Sequence, residues 1–312
     1  MVKKITVVGS FAVGMTLRTG RMPIFGETLE GSDFDMGPGG KGSNQAVATT
    51  RLGAYSSFVA IIGDDRLGQI GSDLYHQEGV NTQHVLRTHE LATGVGFIIV
   101  NPSGGNAIIL DMAANKLMDA AYVDTAEATI AQSDLVMAVL EIPVVAAARA
   151  MELGRKHAVT TLLNPAPATR LDDSLFPFVD YLTPNETELR ILLGLVPNDP
   201  APTLQLARQL KERGVKHVIV TMGEEGSLVI NGNADAQATH VPAISVDVVD
   251  TTGAGDAFSA GLAVALTESR PLLDAVRFAT CCGALACTRL GVIPSLAKRE
   301  AVDALYQKHY GA

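Results

Sequence analysis

The apolar residues of this chain gather in short, nearly unbroken runs. The first, ITVVGS at Ile5–Ser10, closes on Gly9 and Ser10, and similar runs recur at Ser56–Gly63, Asp134–Glu141, Val159–Asn164, Asp180–Asn185 and Lys216–Gly223. A strand that is apolar on both faces belongs inside a parallel sheet covered on each side. Between most of these runs the apolar period changes to that of a helix, at Val144–His157, Glu186–Gly194 and Leu204–Arg213. Strands alternating with helices predict an α/β protein with a central, mostly parallel, doubly wound sheet flanked by helices.

Two stretches interrupt the alternation. Phe11–Asp35 has no helical period and is punctuated by Gly20, Pro23 and Gly26, while Val95–Met112 reads as two strands around NPSGGN. Both predict strands of a small sheet appended to one main domain over residues 1–312, serving either as a lid over a ligand or as an edge hairpin or dimer contact. The C-terminal third predicts apolar helices at Asp256–Thr267 and Leu272–Thr288 and an amphipathic one at Lys298–His309, with their apolar sides on the sheet.

Composition narrows the partners. With 312 residues, 47% apolar and 18% charged, the chain has material for a large core and too little charge to stay disordered. Its 33 acidic against 24 basic side chains give a net charge of −9, which argues against nucleic acid as principal partner and leaves no basic arm for a membrane surface. A small molecule is the expected partner. Cys281, Cys282 and Cys287 crowd one apolar segment without CxxC spacing, so they are expected as reduced core residues of a cytoplasmic protein. Lys3 and Lys4 precede an apolar run shorter than an export signal or a membrane span.

Candidate chemistry lies in the Gly-rich segments. DTTGAGDAF (Asp250–Phe258) leads directly into an apolar helix. Gly253 and Gly255 around Ala254 permit a tight turn whose N–H groups converge at a helix N-terminus, where free donors and the macrodipole favour an anion such as phosphate. Asp256, at the helix start, is either a plain cap or an ionised carboxylate able to take a proton from a hydroxyl. GPGGKGSNQAVATTRLG (Gly37–Gly53) again runs glycines into a helix. Gly39, Gly40 and Gly42 let backbone approach a ligand, and Lys41 and Asn44 suit hydroxyl groups. Gly37, Gly39 and Gly42 also match GxGxxG, with Asp64 downstream, although that dinucleotide fingerprint belongs in the first strand-to-helix turn. In TPNETELRILLG (Thr183–Gly194), Asn185 and Glu188 form either a capping box or a support for the water shell of Mg²⁺. TMGEEG (Thr221–Gly226) ends a buried strand as a nucleotide-side loop or as a hairpin into SLVING, and the seven histidines form no HExxH or Ser/His/Asp set.

Taken in order, GGKGSNQA (Gly39–Ala46), NPAP (Asn164–Pro167), TPNETE (Thr183–Glu188), TMGEEG and DTTGAGDAF resemble the ribokinase-like (PfkB) family of carbohydrate kinases over nearly the whole chain, and the ribokinase subgroup in particular. The resemblance implies a central sheet flanked by helices with a small β lid, here Phe11–Asp35 plus Val95–Met112, that often also makes a homodimer clasp. It implies transfer of the γ-phosphoryl of ATP to a sugar or nucleoside hydroxyl. By matching position, Asp256 is implied as the catalytic base and the N–H groups of Gly253, Ala254 and Gly255 as the anion hole. Asn185 and Glu188 are implied as supports for Mg²⁺, and Thr221, Gly223 and Gly226 as the border of the nucleotide. Gly39, Gly40, Lys41, Asn44 and Glu141 match sugar-contacting positions. Asp250, Thr252, Ala286, Arg289, Gly291 and Ser295 match the surroundings of a potassium ion.

One departure bears on the substrate. Where ribokinases carry an Asn and an Asp after the first strand, this chain has Ala12 and Gly14. A site built for hydroxyls loses affinity when a partner is missing, so either the substrate lacks those hydroxyls or residues such as Thr16, Arg18 and Asp33 compensate. Ribose itself is not expected. The expectation is an ATP-dependent sugar kinase acting on a pentose-like or related sugar. Two alternatives stay open: an NAD-dependent oxidoreductase using Gly37, Gly39 and Gly42, and a nucleoside kinase of the same fold.

Overall fold

The computed structural model describes residues 2–102, 105–232 and 238–311. In chain order the strands are β1 (Lys4–Val8), β2 (Ala12–Arg18), β3 (Ser32–Gly39), β4 (Tyr55–Gly63), β5 (Asn81–Thr88), β6 (Gly94–Val100), β7 (Asn106–Asp111), β8 (Leu135–Val139), β9 (Thr160–Asn164), β10 (Tyr181–Leu182), β11 (His217–Thr221), β12 (Ser227–Asn231) and β13 (Thr239–Val241). The helices are α1 (Lys41–Arg51), α2 (Arg66–Glu78), α3 (Ala120–Asp124), α4 (Glu127–Ala131), α5 (Val144–Lys156), α6 (Glu186–Leu192), α7 (Thr203–Glu212), α8 (Ala254–Thr267), α9 (Leu272–Ala286), α10 (Val292–Ser295) and α11 (Arg299–Tyr310).

The main sheet has the order β13-β12-β11-β10-β9-β8-β1-β4-β5. Every pairing from β11 across to β5 is parallel; β12 is antiparallel to β11, and β13 to β12. Leu135–Val139 is completely buried, as an unbroken apolar run in a two-sided sheet requires. The apolar helix α8 is buried almost along its whole length because α9 covers its outer side. Gly261 permits that approach, since a Cβ there would stand 2.6 Å from Cys282 Sγ. Cys281 and Cys282 are buried and all three cysteines are unpaired. Among the described residues no helix is long and apolar enough to cross a membrane.

The two irregular stretches form a second sheet of order β3-β2-β6-β7, in which β2 pairs antiparallel with β3 and parallel with β6. Its third strand element reaches further than expected, because β3 continues to Gly39 rather than stopping at Asp35. Of the NPSGGN turn, Ser103 and Gly104 lie outside the described residues. Asn115, fully buried, fastens this sheet to the body: its Nδ2 donates to Phe11 O and Met112 O, both at 2.8 Å, and its Oδ1 accepts from Phe11 N at 3.0 Å. Asp65 does the same at the β6 end, capping α2 through Gly68 N while accepting from Thr93 N and Oγ1.

This topology removes the dinucleotide reading. Gly37 and Gly39 lie inside β3, Gly42 lies inside α1, and β1 leads into another strand rather than a helix. Asp64 is paired with Arg87 at 2.8 Å. Pattern reading also passed over α2 and β5. RLGQIGSDLYHQE is polar with two glycines, and β5 is an edge strand with only its last residue buried, so neither carries a strong apolar period.

Candidate functional site

The start of α1 is pressed against the end of β1, which explains its glycines. Gly40, its N-cap, has φ 88°, and a Cβ there would lie 2.8 Å from Ala12 N and Phe11 Cα. Gly42 has no room either, with a Cβ falling 2.5 Å from Ser10 N. The seam is locked by Glu141, just beyond β8, whose Oε2 accepts from Ser10 Oγ at 2.5 Å and from Lys41 N at 2.7 Å. The carboxyl ends of β1 and β8 and the first turn of α1 therefore meet at one point, the edge where open α/β sheets hold their ligands.

Asp256 is not a helix cap. The N-cap of α8 is Gly253, in the left-handed conformation at φ 85°, and Asp256 stands a turn further in, 4% exposed. Its Oδ2 accepts from Asn44 Nδ2 at 2.8 Å and its Oδ1 from Gln45 Nε2 at 3.0 Å, both on α1. Gln45 Nε2 also donates to Asn164 Oδ1 at 2.9 Å, and Asn164 Nδ2 to Thr183 O at 3.1 Å. Thr183 Oγ1 lies 3.1 Å from Ser259 Oγ of α8. A buried amide chain thus joins α1, the ends of β9 and β10, and α8.

Four charged side chains share the surrounding field. The Lys41 ammonium is held above its ordinary range, chiefly by the Asp256 carboxylate working against burial, with Glu141 and Glu188 adding to it. Burial pushes the Glu141 carboxyl up, opposed by Lys41 and by its two hydrogen bonds, and the charge of Asp256 adds to the rise. Burial likewise raises Glu188, against its bond from Asn185 and the charge of Lys41. Three carboxyl groups around one ammonium leave the site short of positive charge.

In the GAG turn, Ala254 N closes onto Thr251 O at 3.2 Å, while the N–H groups of Gly253 and Gly255 have no partner among the described residues. Asp250 braces the turn from outside. Its Oδ1 accepts from Thr252 N at 2.9 Å and Oγ1 at 2.6 Å, its Oδ2 from Gly291 N at 3.1 Å, and these bonds outweigh burial to hold it below the usual carboxylate range. Val249 N and Asp250 N both donate to Cys287 O. Asp250, Thr252 and Gly291 are thereby brought together one residue from Ala286, whereas Arg289 is exposed and Ser295 turns its hydroxyl to Val292 O.

Asn185 and Glu188 form a complete capping box on α6: Asn185 Oδ1 accepts from Glu188 N and Glu188 Oε2 from Asn185 N, both at 2.8 Å. Glu188 Oε1 remains free of protein donors among the described residues. Asn185 also bridges to Thr221 at the end of β11, and Gly223–Glu225 turns the chain into β12, so TMGEEG is a hairpin whose first residue lies beside Asn185.

Sequence reading missed Ser10, Gln45, Asn164, Thr183 and Ser259. Gln45 and Asn164 stand inside the quoted motifs, but uncharged amides carry no signal of which carboxylate they will meet. It missed Arg51 as well, which grips Glu78 through Nε and Nη2 and donates Nη1 to Ile293 O and Leu296 O at 2.6 and 2.7 Å. That arginine ties the far end of α1 to the segment following Gly291.

Comparison with known proteins agrees with this layout. A family model described as pfkB family carbohydrate kinase matches residues 2–299. A ribokinase of Haemophilus influenzae is 35% identical over 300 residues, covering 96% of this chain and 97% of that protein. A deoxyribokinase of Salmonella typhi is 39% identical over 255 residues, covering 81% and 82%. The crystal structure of a ribokinase from Thermotoga maritima superposes with a TM-score of 0.87 at 32% identity, covering 98% of this chain and all of that one. An Arabidopsis thaliana ribokinase complexed with ribose and ATP gives 0.90 at 29% identity, covering 98% and 99%.

Proposed function

Because this chain belongs to the pfkB family of carbohydrate kinases, we propose that Asp256 is the base with which it moves the γ-phosphoryl of ATP onto a sugar hydroxyl. The protein is an ATP-dependent carbohydrate kinase of the ribokinase group. The observation that carries the base assignment is the burial of Asp256 at the start of α8 with both oxygens turned to amide donors of the helix that also bears Lys41.

In this reading the sugar lies against Gly39, Gly40, Lys41, Asn44 and Glu141. Asn44 Oδ1 is buried without a partner among the described residues, which suits a sugar hydroxyl as its donor. The hydroxyl oxygen attacks the γ-phosphorus and gives its proton to Asp256, and ADP leaves as the P–O bond to it breaks; Asp256 later returns the proton to solvent. Gly253 and Gly255 present free N–H groups to the phosphoryl oxygens, with Ala254 sharing its N–H with Thr251 O, and the dipole of α8 adds to their field. Lys41 stays cationic and shields the charge that gathers. The small sheet acts as a lid that keeps water out.

Asn185, Thr221, Gly223 and Gly226 border the nucleotide. Glu188 Oε1 and the deficit of positive charge fit Mg²⁺, which would neutralise the phosphates while Glu188 orients its water shell. Among the described residues no three His, Cys, Asp or Glu are grouped closely enough to hold a metal ion by themselves. Asp250, Thr252 and Gly291, with Ala286, Arg289 and Ser295 nearby, fit a potassium ion that would steady the anion turn. The acceptor is a pentose-like sugar lacking hydroxyls toward Ala12 and Gly14, a reading supported by the deoxyribokinase among the relatives. Exposed Phe34, Phe97 and Ile109 on one face of the small sheet support a homodimer through that face.

The test is ADP release over a panel of pentoses, deoxypentoses, hexoses and polyols with Mg²⁺ and K⁺ present. Asp256→Asn should lower kcat by about 10²-fold or more, the usual size of a general-base contribution. An Asn variant working at the wild-type rate ends the assignment.

A further inference from the structure

Outside its own helix, the anion turn leans on the segment that follows α9. Val249 N and Asp250 N donate to Cys287 O, and Gly291 N donates to Asp250 Oδ2 at 3.1 Å. Val292 packs on Gly253 so closely that a Cβ on that glycine would stand 2.6 Å from Val292 Cγ1. The residues that brace the turn from this side therefore begin α10, a single turn of four residues whose N-cap is Gly291 at φ 80°. So short a helix cannot keep its own place, and its terminal carbonyls lack partners within it. Its C-terminal end is held from α1: Arg51 Nη1 donates to Ile293 O at 2.6 Å and to Leu296 O at 2.7 Å.

Arg51 is fixed in turn. Its Nε and Nη2 donate to the two oxygens of Glu78, the last residue of α2, at 2.9 and 2.6 Å, and the pair is largely buried, with side-chain exposures of 15% and 20%. These bonds hold the Glu78 carboxyl below its ordinary range. A guanidinium can serve a carboxylate along one edge and two carbonyls with its remaining nitrogen, a fork that an ammonium cannot present. Between its ends α1 is a rod of 11 residues, about 16 Å long, buried from Gly42 to Thr49. Its first turns carry Lys41 and the Asn44 and Gln45 amides that hold Asp256, and its last residue holds α10. One helix thus sets both the carboxylate and, through Val292 and Gly291, the GAG turn.

We propose that Arg51 is a positioning residue for phosphoryl transfer, keeping the free N–H groups of Gly253 and Gly255 in register with Asp256 by pinning α10 to the far end of α1. This rests on the kinase reading above. The experiment measures Tm and ADP release, from 2-deoxyribose or whichever sugar of the panel above is turned over fastest, for the wild type, Arg51→Lys, Glu78→Gln, Val292→Ala and Arg51→Lys with Val292→Ala, each assayed well below its Tm. A displaced turn loses contacts made in the transition state and spares those that bind the sugar, so Arg51→Lys should lower kcat about fivefold or more with the sugar KM changed less than about threefold. A purely structural role lowers Tm and leaves that split unmoved. Arg51 and Val292 act along one route, so the double variant should lose no more kcat than the worse single variant. Should Arg51→Lys not fold, Glu78→Gln decides, because it loosens the seat of Arg51 and should show the same split on a smaller scale. A smaller fall in kcat than stated, a sugar KM raised beyond that limit, losses that multiply in the double variant, or, where it decides, an unchanged kcat in Glu78→Gln overturns the proposal while an active wild type leaves the kinase reading intact. Absence of ADP release by the wild type from every sugar overturns both.

Discussion

Gln45 makes no contact with solvent, yet its one carboxamide nitrogen supplies hydrogen bonds to both Asp256 and Asn164. Replacing it by leucine keeps the volume and removes both donors. A hydrogen bond to a charged acceptor contributes about 1.5–3 kcal/mol, and one between neutral groups about 1 kcal/mol, so the loss is about 3 kcal/mol. Gln45 Oε1, buried and without a partner among the described residues, disappears at the same time and returns a small part of that. Unfolding entropy near 2.1 cal/mol/K per residue puts a chain of this length at about 0.65 kcal/mol/K, so Tm should fall by about 4–5 °C. The effect on turnover should be larger than on sugar affinity, because Asp256 loses orientation while Lys41 and Asn44 remain; about a tenfold drop in kcat with a KM change under threefold is expected. Gln45→Glu supplies the contrasting case. A second carboxylate about 3 Å from Asp256 forces the pair to share a proton, as neighbouring like charges do. That variant should be least stable at neutral pH and regain stability as pH falls, whereas the leucine variant adds no titratable group. Differential scanning calorimetry from pH 5 to 8 with steady-state ADP release measures all of this. A leucine variant within 1 °C and twofold of wild type would show that the amide chain neither holds nor aims Asp256.

Three further outcomes follow from individual contacts. Glu188→Gln keeps an acceptor at the third position of α6 and so preserves the capping box, leaving Tm within about 1 °C, but removes the charge; the Mg²⁺ concentration for half-maximal rate should rise several-fold, and an unchanged Mg²⁺ titration rules out the metal role. Gly253→Ala places a Cβ 2.6 Å from Val292 Cγ1 on a backbone at φ 85°, so beyond a loss of about 1–2 kcal/mol it should depress kcat, since the free N–H groups of the turn move with it; full activity would mean those donors do not touch the transferred group. His217 is pushed down to about 4 by burial and then by Lys216 and Lys211, against an ordinary 6.5. The unfolded chain therefore takes up this proton first, and the stability tied to the neutral ring is present above pH 6.5 and lost as pH falls toward about 4. His217→Gln should flatten the fall of Tm across that window, and coincident Tm–pH curves refute it.

How much of this was legible beforehand depended on whether a residue announces its neighbours. The parallel core was legible because a strand such as Leu135–Val139, buried on both faces, has no polar position to interrupt it. The GGKG and GAG turns were legible because Gly40 and Gly253 occupy backbone conformations other residues rarely reach. Edge elements were not: β5 shows little burial, and the tie between α1 and the segment after Gly291 depends on one arginine fork. Nor does NxxE distinguish a cap from a metal support, since Glu188 spends one oxygen on the cap and keeps the other free, so a single residue satisfies both descriptions. Ala12 and Gly14 illustrate the deeper limit. In one dimension they are two missing hydrogen-bond partners, which bears only on what the substrate lacks. Their pairing with Gly39 and Gly37 on one side and Gly94 and Gly96 on the other exists only once the strands are in register. Two absences then become part of one stretch of small residues across three strands, running into Gly40 and Lys41, which no reading of a single segment displays.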